Sequence, residues 1–537
     1  DYLRGDRSLE IANGGTFRNR DRVLGDIVSS NPFLAGDGNF GYEQLSDARG
    51  GNTYVSFWES KQSRQEMLYV GANDGMLHAF DAETGEEEFA FVPNDVYANL
   101  SDLTSPNYKH RYYVDGSPRA ADVHADLNGN GSDAWGTVLA GTTGAGGRSV
   151  FALDVSDPTN FGASDVLWEF THPELGYTIG QPHIVPMNDG SWAVVFGNGY
   201  NSDSGTARLF IVPLENPGSP TIIDTEVGGS GDAANGLGPV TPVDLDGDRI
   251  TDAIYAGDMK GNMWKFDVSG NANQWDVAYK QGNTPEPLYH AEHDDGDPTT
   301  EDAQPITAAP EIGSHPESGV DLMVYFGTGQ FFEEGDNVVP NTPQLQTFYA
   351  IEDDGDAVNN GRNDLQEQTI DFEGTVSGRE YRVTSDNTPA QSDDGWYIDL
   401  ESPANGLEGE RVFTQATRRR DRIIFVTNIP STDPCEYGGD SWIMEMNAIT
   451  GARLASAVFD VNGDGTIDGS DIVNTGNGNQ AHAGGRKMDD LVTAPAILDT
   501  SGSTEFKYMS GSSGSVKKVE ESGSSGNLGR QSWRQLQ

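Results

Sequence analysis

Five oxygen donors fall at alternate positions of one short turn, Asp244-Leu-Asp246-Gly-Asp248-Arg-Ile250-Thr-Asp252. Acids at every second position of a tight loop aim their carboxylates at one point, and a hard cation such as Ca2+ takes about 6–8 oxygens in a flexible shell. The side chains of Asp244, Asp246, Asp248 and Asp252 and the backbone carbonyl of Ile250 are the expected ligands. Four carboxylates packed this closely without a cation would repel one another. Arg249 stands at the sixth position, where an EF-hand carries Gly, and no acid stands at the twelfth. The turn is therefore expected to be a shorter calcium loop and not an EF-hand.

A second run, Asp460-Val-Asn462-Gly-Asp464-Gly465-Thr466-Ile467-Asp468-Gly-Ser-Asp471, follows the twelve-residue calcium loop. It has an acid or amide at positions one, three and five, Gly at six, a carbonyl from Thr466 at seven and an acid at nine. Asp471 replaces the usual Glu at twelve, and its shorter reach weakens bidentate binding. Weaker candidates are the loop Asp126-Leu-Asn128-Gly-Asn130-Gly-Ser132-Asp133 and the run Asp353-Asp354-Gly-Asp356 with Asn359, Asn360 and Asn363. An ordinary solvated acidic turn explains both of these as well. Arg4-Gly5-Asp6 spells an integrin-recognition tripeptide, which acts only on an exposed tip; a chance match with local pairing of Arg4 and Asp6 is the plainer reading.

Catalytic patterns are missing. The nine histidines show no H-E-x-x-H spacing, and there is no G-x-S-x-G elbow, phosphate loop or Cys/His zinc cluster. His78 falls inside a strand and is expected to be packed there. The chain is therefore not expected to be an enzyme. Its formal net charge of −51, from 33 Lys+Arg against 84 Asp+Glu, repels nucleic acid and anionic lipid and excludes both as partners. One cysteine, Cys435, rules out an intrachain disulfide. The absence of an initiating Met, a signal peptide or a long apolar run is expected to mark a fragment exported by an upstream segment, with no direct membrane insertion.

The elements that position these loops follow from an irregular repeat. An apolar strand ending near Gly, a small-residue turn and a second strand ending near Asp recur along the chain. The pairs are Met67–Gly71 with Met76–Asp81, Val138–Gly141 with Val150–Asp154, Val194–Gly197 with Arg208–Val212, and Ala253–Gly257 with Asn262–Asp267. They continue with Met323–Gly327 and Thr347–Ile351, Ile423–Asn428 and Ser441–Met446, and Phe506–Gly511 and Ser515–Val519. No long stretch shows helical apolar spacing. The expected fold is all-β, a modified seven-bladed β-propeller with long inter-strand loops, because a ring leaves only short protected edges. Residues 1–537 are read as one such domain, with about 353–420 holding an enlarged loop region and the blade-six strands, and 456–490 a calcium-loop insertion. Pro32, Pro118, Pro182, Pro242, Pro310 and Pro495 precede these pairs and are expected at strand starts or edges, since Pro cannot donate to a ladder. The run at residues 531–537 is expected to pair with N-terminal material and close the ring.

Several phrases together resemble the C-terminal domain of the PilC/PilY family of type IV pilus tip adhesins and assembly factors. They include Tyr2-Leu-Arg-Gly-Asp6, Phe17-Arg-Asn-Arg20, Leu24-Gly-Asp-Ile-Val28 and the run from Tyr69 to Asp81. Tyr113-Val-Asp-Gly-Ser-Pro118, Gly144-Ala-Gly-Gly-Arg148, Tyr255-Ala-Gly-Asp258, Gly395-Trp-Tyr-Ile-Asp399, Glu410-Arg411-Val412 and Ser441-Trp442 continue the likeness. The resemblance implies a seven-bladed propeller whose calcium loop governs pilus extension and retraction. It implies pilus biogenesis, adhesion at the tip to host or surface receptors, minor pilins as partners, and a cell-surface or outer-membrane location. The family's calcium-loop pattern falls on Asp244, Asp246, Asp248, Ile250 and Asp252; the Asp460 loop rests on spacing alone. Two other readings compete: an integrin-like calcium propeller acting as a generic protein-binding platform, and a quinoprotein dehydrogenase. The first would repeat its calcium loop on consecutive blades. The second is echoed by Asp81-Ala-Glu-Thr84-Gly85, but one cysteine forbids the vicinal disulfide of many such enzymes.

Overall fold

A computed structural model describes residues 1–293, 303–315, 322–333, 335–433, 437–476, 478–499 and 504–523. Cys435 and the expected closing run at 531–537 lie outside the described residues. Two compact units divide the chain: one comprises Asp1–Ala256 and Lys265–Pro285, the other Gly257–Trp264 and the stretch from Glu286 onward.

In the first unit the chain builds antiparallel meanders. Phe33–Ala35, Met67–Ala72, Met76–Asp81 and Glu87–Phe91 form one sheet in chain order. Arg119–Ala125, Ala134–Thr142, Val150–Asp154 and Val166–Phe170 form the next. His183–Pro186, Trp192–Gly197, Thr206–Pro213 and Thr221–Gly228 form a third. Tight turns make the short links: Gly75, at φ +97°, joins Met67–Ala72 to Met76–Asp81, a conformation that Gly alone adopts freely. Both faces of their middle strands are largely apolar and covered. Tyr69, Leu77, Leu139 and Phe151 pack in one cluster, and Val138, Ile184, Val194 and Phe210 in another.

The second unit holds a five-stranded sheet, a six-stranded sheet and a three-stranded sheet of Ala496–Asp499, Thr504–Ser510 and Val516–Ser522. All seven strand pairs anticipated from the repeat are neighbours in a sheet. Five of the six prolines immediately precede a strand. Pro242 instead lies within Leu237–Val243, at the end of the sheet order, where a missing donor costs no ladder bond.

Two features differ from expectation. The first unit contains an α-helix, Gly51–Lys61. Tyr54, Phe57, Trp58 and Lys61 stand at helical spacing, but the fourth member is a lysine, so the stripe does not read as apolar. Lys61 is nonetheless buried, its Nζ 2.7 Å from Asp122 Oδ2. The polar stretch after Asp353 is also not one long loop. Gln366–Gln368 pairs in parallel with Gly395–Asp399, and Ile370–Val376 with Arg379–Thr384 makes a hairpin on the six-stranded sheet. Ile370, Tyr381 and Val383 are its buried apolar residues.

Candidate metal centre

The Asp244–Asp252 turn connects Leu237–Val243 to Ala253–Asp258. Its shape is set by carboxylates capping the loop's own amides. Asp244 Oδ1 accepts from the Gly247 N–H at 2.7 Å and Oδ2 from the Arg249 N–H at 3.1 Å. Asp246 accepts from Asp248 N–H at 3.1 Å and Asp248 from Ile250 N–H at 2.8 Å. Asp252 Oδ2 reaches back to the Leu245 N–H at 2.8 Å. Gly247 and Arg249 both take positive φ, +86° and +75°, which coils the backbone tightly enough for these contacts.

The outcome is convergence. One oxygen each from Asp244, Asp246 and Asp252 lies within 4.8 Å of the others, and among the described residues this is the one such group of three acids. Asp248 stands outside that group. The donors are all oxygen, the set that a hard divalent cation takes. Burial pushes the Asp252 carboxyl above its usual range, and the Asp246 and Asp248 charges add to it, against the Leu245 amide and Asn188. Asp248 is raised too, by burial first and then by Asp246 and Asp244. Asp246, Asp248 and Asp252 thus carry a mutual repulsion that a cation would relieve.

Two supporting residues escape a reading of the loop alone. Asn188 Nδ2 donates to Thr251 O at 2.9 Å, Val268 O at 3.1 Å and Asp252 Oδ1 at 3.2 Å. It therefore pins both the end of the turn and a ligand. Arg49 Nη2 donates to Met187 O at 2.8 Å, and its charge is felt by Asp248 and Asp189. Ile250 packs on the cluster that contains Tyr42, Tyr54 and Trp192. Asn188 and Arg49 are far from the loop in sequence, and neither carries a motif.

The other candidates fold differently. The Asp460 loop has the Asx-turn backbone of a calcium loop. Asp460 accepts from Gly463 and Gly465 N–H at 2.7 and 3.1 Å, Asn462 from Asp464 N–H at 2.8 Å, and Asp464 from Thr466 N–H at 2.8 Å. Asp468 is spent on Ser470 N–H at 2.7 Å. Asp471 is fully buried and accepts from Val461, Asn462 and Asp468 N–H at 2.7, 3.1 and 2.8 Å. Its acids do not gather into a group of three. Asp126 likewise caps Asn130 and Gly131 N–H at 2.9 and 2.6 Å. In Arg4-Gly5-Asp6, Asp6 bonds Ser8, at 2.7 Å to N–H and 2.9 Å to the hydroxyl, rather than Arg4. His78 is packed in its strand, with Nδ1 2.5 Å from Glu87 Oε1 and Nε2 3.1 Å from Asp74 Oδ1.

A family model described as the PilY1 beta-propeller domain matches residues 24–377, a stretch that includes the convergent aspartates. The chain belongs to the PilY1 family. A type IV pilus biogenesis factor PilY1 homologue of Xylella fastidiosa is 39% identical over 478 residues, covering 85% of this chain and 31% of that protein. The PilY1 of Pseudomonas aeruginosa strain PAK is 36% identical over 505 residues, covering 87% of this chain and 41% of its own length. The chain thus spans less than half of these PilY1 relatives. The crystal structure of the Pseudomonas aeruginosa PilY1 C-terminal domain superposes with a TM-score of 0.72 at 28% identity, covering 91% of this chain and 99% of that one. The likeness to a PilY1 domain confirms the all-β propeller class.

Proposed function

We propose that this chain is the calcium-binding propeller portion of a type IV pilus biogenesis factor. It works by binding rather than by catalysis, at the cell surface in association with the pilus machinery. The seven sheets of three or more strands among the described residues, counting the one built on Leu237–Val243, Ala253–Asp258 and Asn262–Asp267, would close into a ring. Minor pilins at the pilus tip would be the partners, and extension, retraction and surface attachment the processes affected. The kinship with type IV pilus biogenesis factors of the PilY1 family supports the pilus role. The observation that carries the calcium reading is the meeting of Asp244, Asp246 and Asp252 oxygens within 4.8 Å. Asp248, the Ile250 carbonyl and water would complete the shell.

Ca2+ binding would fix a turn whose carboxylates otherwise repel. It would thereby shift the balance between loose and ordered forms of the surrounding surface. The test is isothermal calorimetry of the chain with Ca2+, comparing wild type with Asp252→Ala. The expected result is one tight site in the wild type and its loss in the variant. Equal binding in both would refute the assignment. A second, weaker site that survives Asp252→Ala and disappears with Asp460→Ala would locate binding at the Asp460 loop as well.

A further inference from the structure

The last two described strands, Thr504–Ser510 and Val516–Ser522, pair antiparallel with Glu505 opposite Glu521 and Lys507 opposite Val519. Alternation along a strand puts Glu505, Lys507 and Glu521 on one face, with Lys507 and Glu521 as diagonal neighbours. That face is sealed. Lys507, Glu505 and Glu521 are each 0% exposed, and so is Glu445, from the strand Gly439–Asn447.

The charges there are unequally served. Glu445 receives Lys507 Nζ and, at 2.8 Å, Arg422 Nη1. Glu505 is held by Arg422 Nη2 at 3.0 Å and Arg419 Nε at 3.2 Å. Among the described residues Glu521 meets no arginine, and neither of its oxygens has a hydrogen-bond partner. It lies against Lys507 Nζ, which is also 3.7 Å from Glu505 Oε1. A sealed carboxylate whose neighbouring ammonium is shared with two other carboxylates is a costly arrangement in a protein interior. An arrangement that removes its charge is favoured there.

We propose that Lys507 and Glu521 are joined by an isopeptide bond. The reaction is a condensation of the ammonium and the carboxylate to one amide and one water, with no change in oxidation state. Glu445, already in contact with Nζ, takes a proton from the ammonium. Burial, with the Arg422 charge, lowers the Lys507 pKa against the pull of Glu445 and Glu505. The Nζ lone pair attacks Cδ of Glu521, whose carboxyl takes a second ammonium proton through Glu505. A tetrahedral centre forms, the C–O bond breaks, and the hydroxyl leaves as water with the proton returned by Glu445. Two desolvated charges are replaced by a neutral amide, and the water is released to solvent. The product ties the last described strand covalently to its neighbour, so that force cannot peel it from the sheet by breaking ladder bonds alone.

Intact mass spectrometry of the purified chain, unfolded in denaturant, tests this directly. The expected wild-type mass is the sequence mass less one water, with a protease digest that yields a branched peptide linking Lys507 to Glu521. Lys507→Arg keeps the positive charge and should show the full sequence mass, as should Glu521→Ala. A wild-type chain at full mass, with Lys507 open to an amine-acylating reagent after unfolding, would overturn the proposal and leave an ion network only. Water loss that persists in Lys507→Arg would overturn it too, because it would arise from another site such as an Asp-Gly succinimide.

Discussion

At the scale of single residues, the aspartate turn depends on a side chain that is not one of its acids. Asn188 holds Asp252 Oδ1 and at the same time bonds the carbonyls of Thr251 and Val268. A neutral donor of this kind fixes the direction of a ligand without competing for its charge. Partners that orient metal ligands typically change affinity by about 10–100-fold when removed. Asn188→Ala should therefore weaken Ca2+ binding by about tenfold or more while preserving one site per chain, as read by calorimetry. Asn188→Asp should behave differently, because it substitutes an acceptor for the donor and adds a fifth carboxylate beside Asp252. The meeting of Asp244, Asp246 and Asp252 was legible from their spacing alone, since period two in a tight turn is a statement about where side chains point. The exclusion of Asp248 from the converging group was not, because it follows from the coil of the backbone at Gly247 and Arg249.

At the scale of elements, strand pairs were legible because each carries its own punctuation, an apolar run closed by Gly and reopened after a turn. The helix Gly51–Lys61 was not, because its buried stripe ends in Lys61, whose burial depends on Asp122 in another strand. The hairpin after Asp353 was hidden by the polarity of its exposed face. Long-range polar ties are likewise invisible in sequence, and Asp490 is one with a measurable consequence. It accepts from the Ser512 hydroxyl at 2.8 Å and from the Ser513 N–H and hydroxyl at 2.7 and 2.6 Å, and meets Lys517 Nζ at 2.8 Å. Burial opposes its ionisation, but Lys517 and these donors outweigh burial and hold the carboxyl well below the usual carboxylate range. A depressed folded-state pKa contributes stability that is present above the unfolded value of 3.8 and is lost as pH falls below it. Asp490→Asn should lower the unfolding temperature at neutral pH. It should also flatten the further fall below about pH 4. Thermal unfolding followed by circular dichroism across that range would show it, and parallel wild-type and variant curves would contradict the assignment.

At the scale of the whole molecule, a net charge of −51 acts on every element at once. Self-repulsion of this size destabilises the compact state, and it is screened over a Debye length of about 10 Å at 0.1 M salt. Monovalent salt should therefore raise the unfolding temperature progressively, through charges distributed over the surface. Ca2+ should act by two routes: weak screening common to any cation, and occupancy of the turn where three acid oxygens meet. The two are separable. Occupancy adds RT ln(1 + [Ca2+]/Kd) to the stability of the folded state, about 2.7 kcal/mol at a hundredfold excess over Kd. It keeps growing with the logarithm of Ca2+ concentration, whereas screening follows ionic strength. In wild type at fixed ionic strength, replacing part of the NaCl by millimolar CaCl2 should raise the unfolding temperature, and excess EGTA should reverse the rise. In Asp252→Ala the response to NaCl should be preserved, because removing one charge in a surplus of this size scarcely changes the field. The Ca2+ increment at fixed ionic strength should vanish. If the variant kept the full increment, the turn would be an acidic surface like any other, and calcium would act on this molecule through its charge alone.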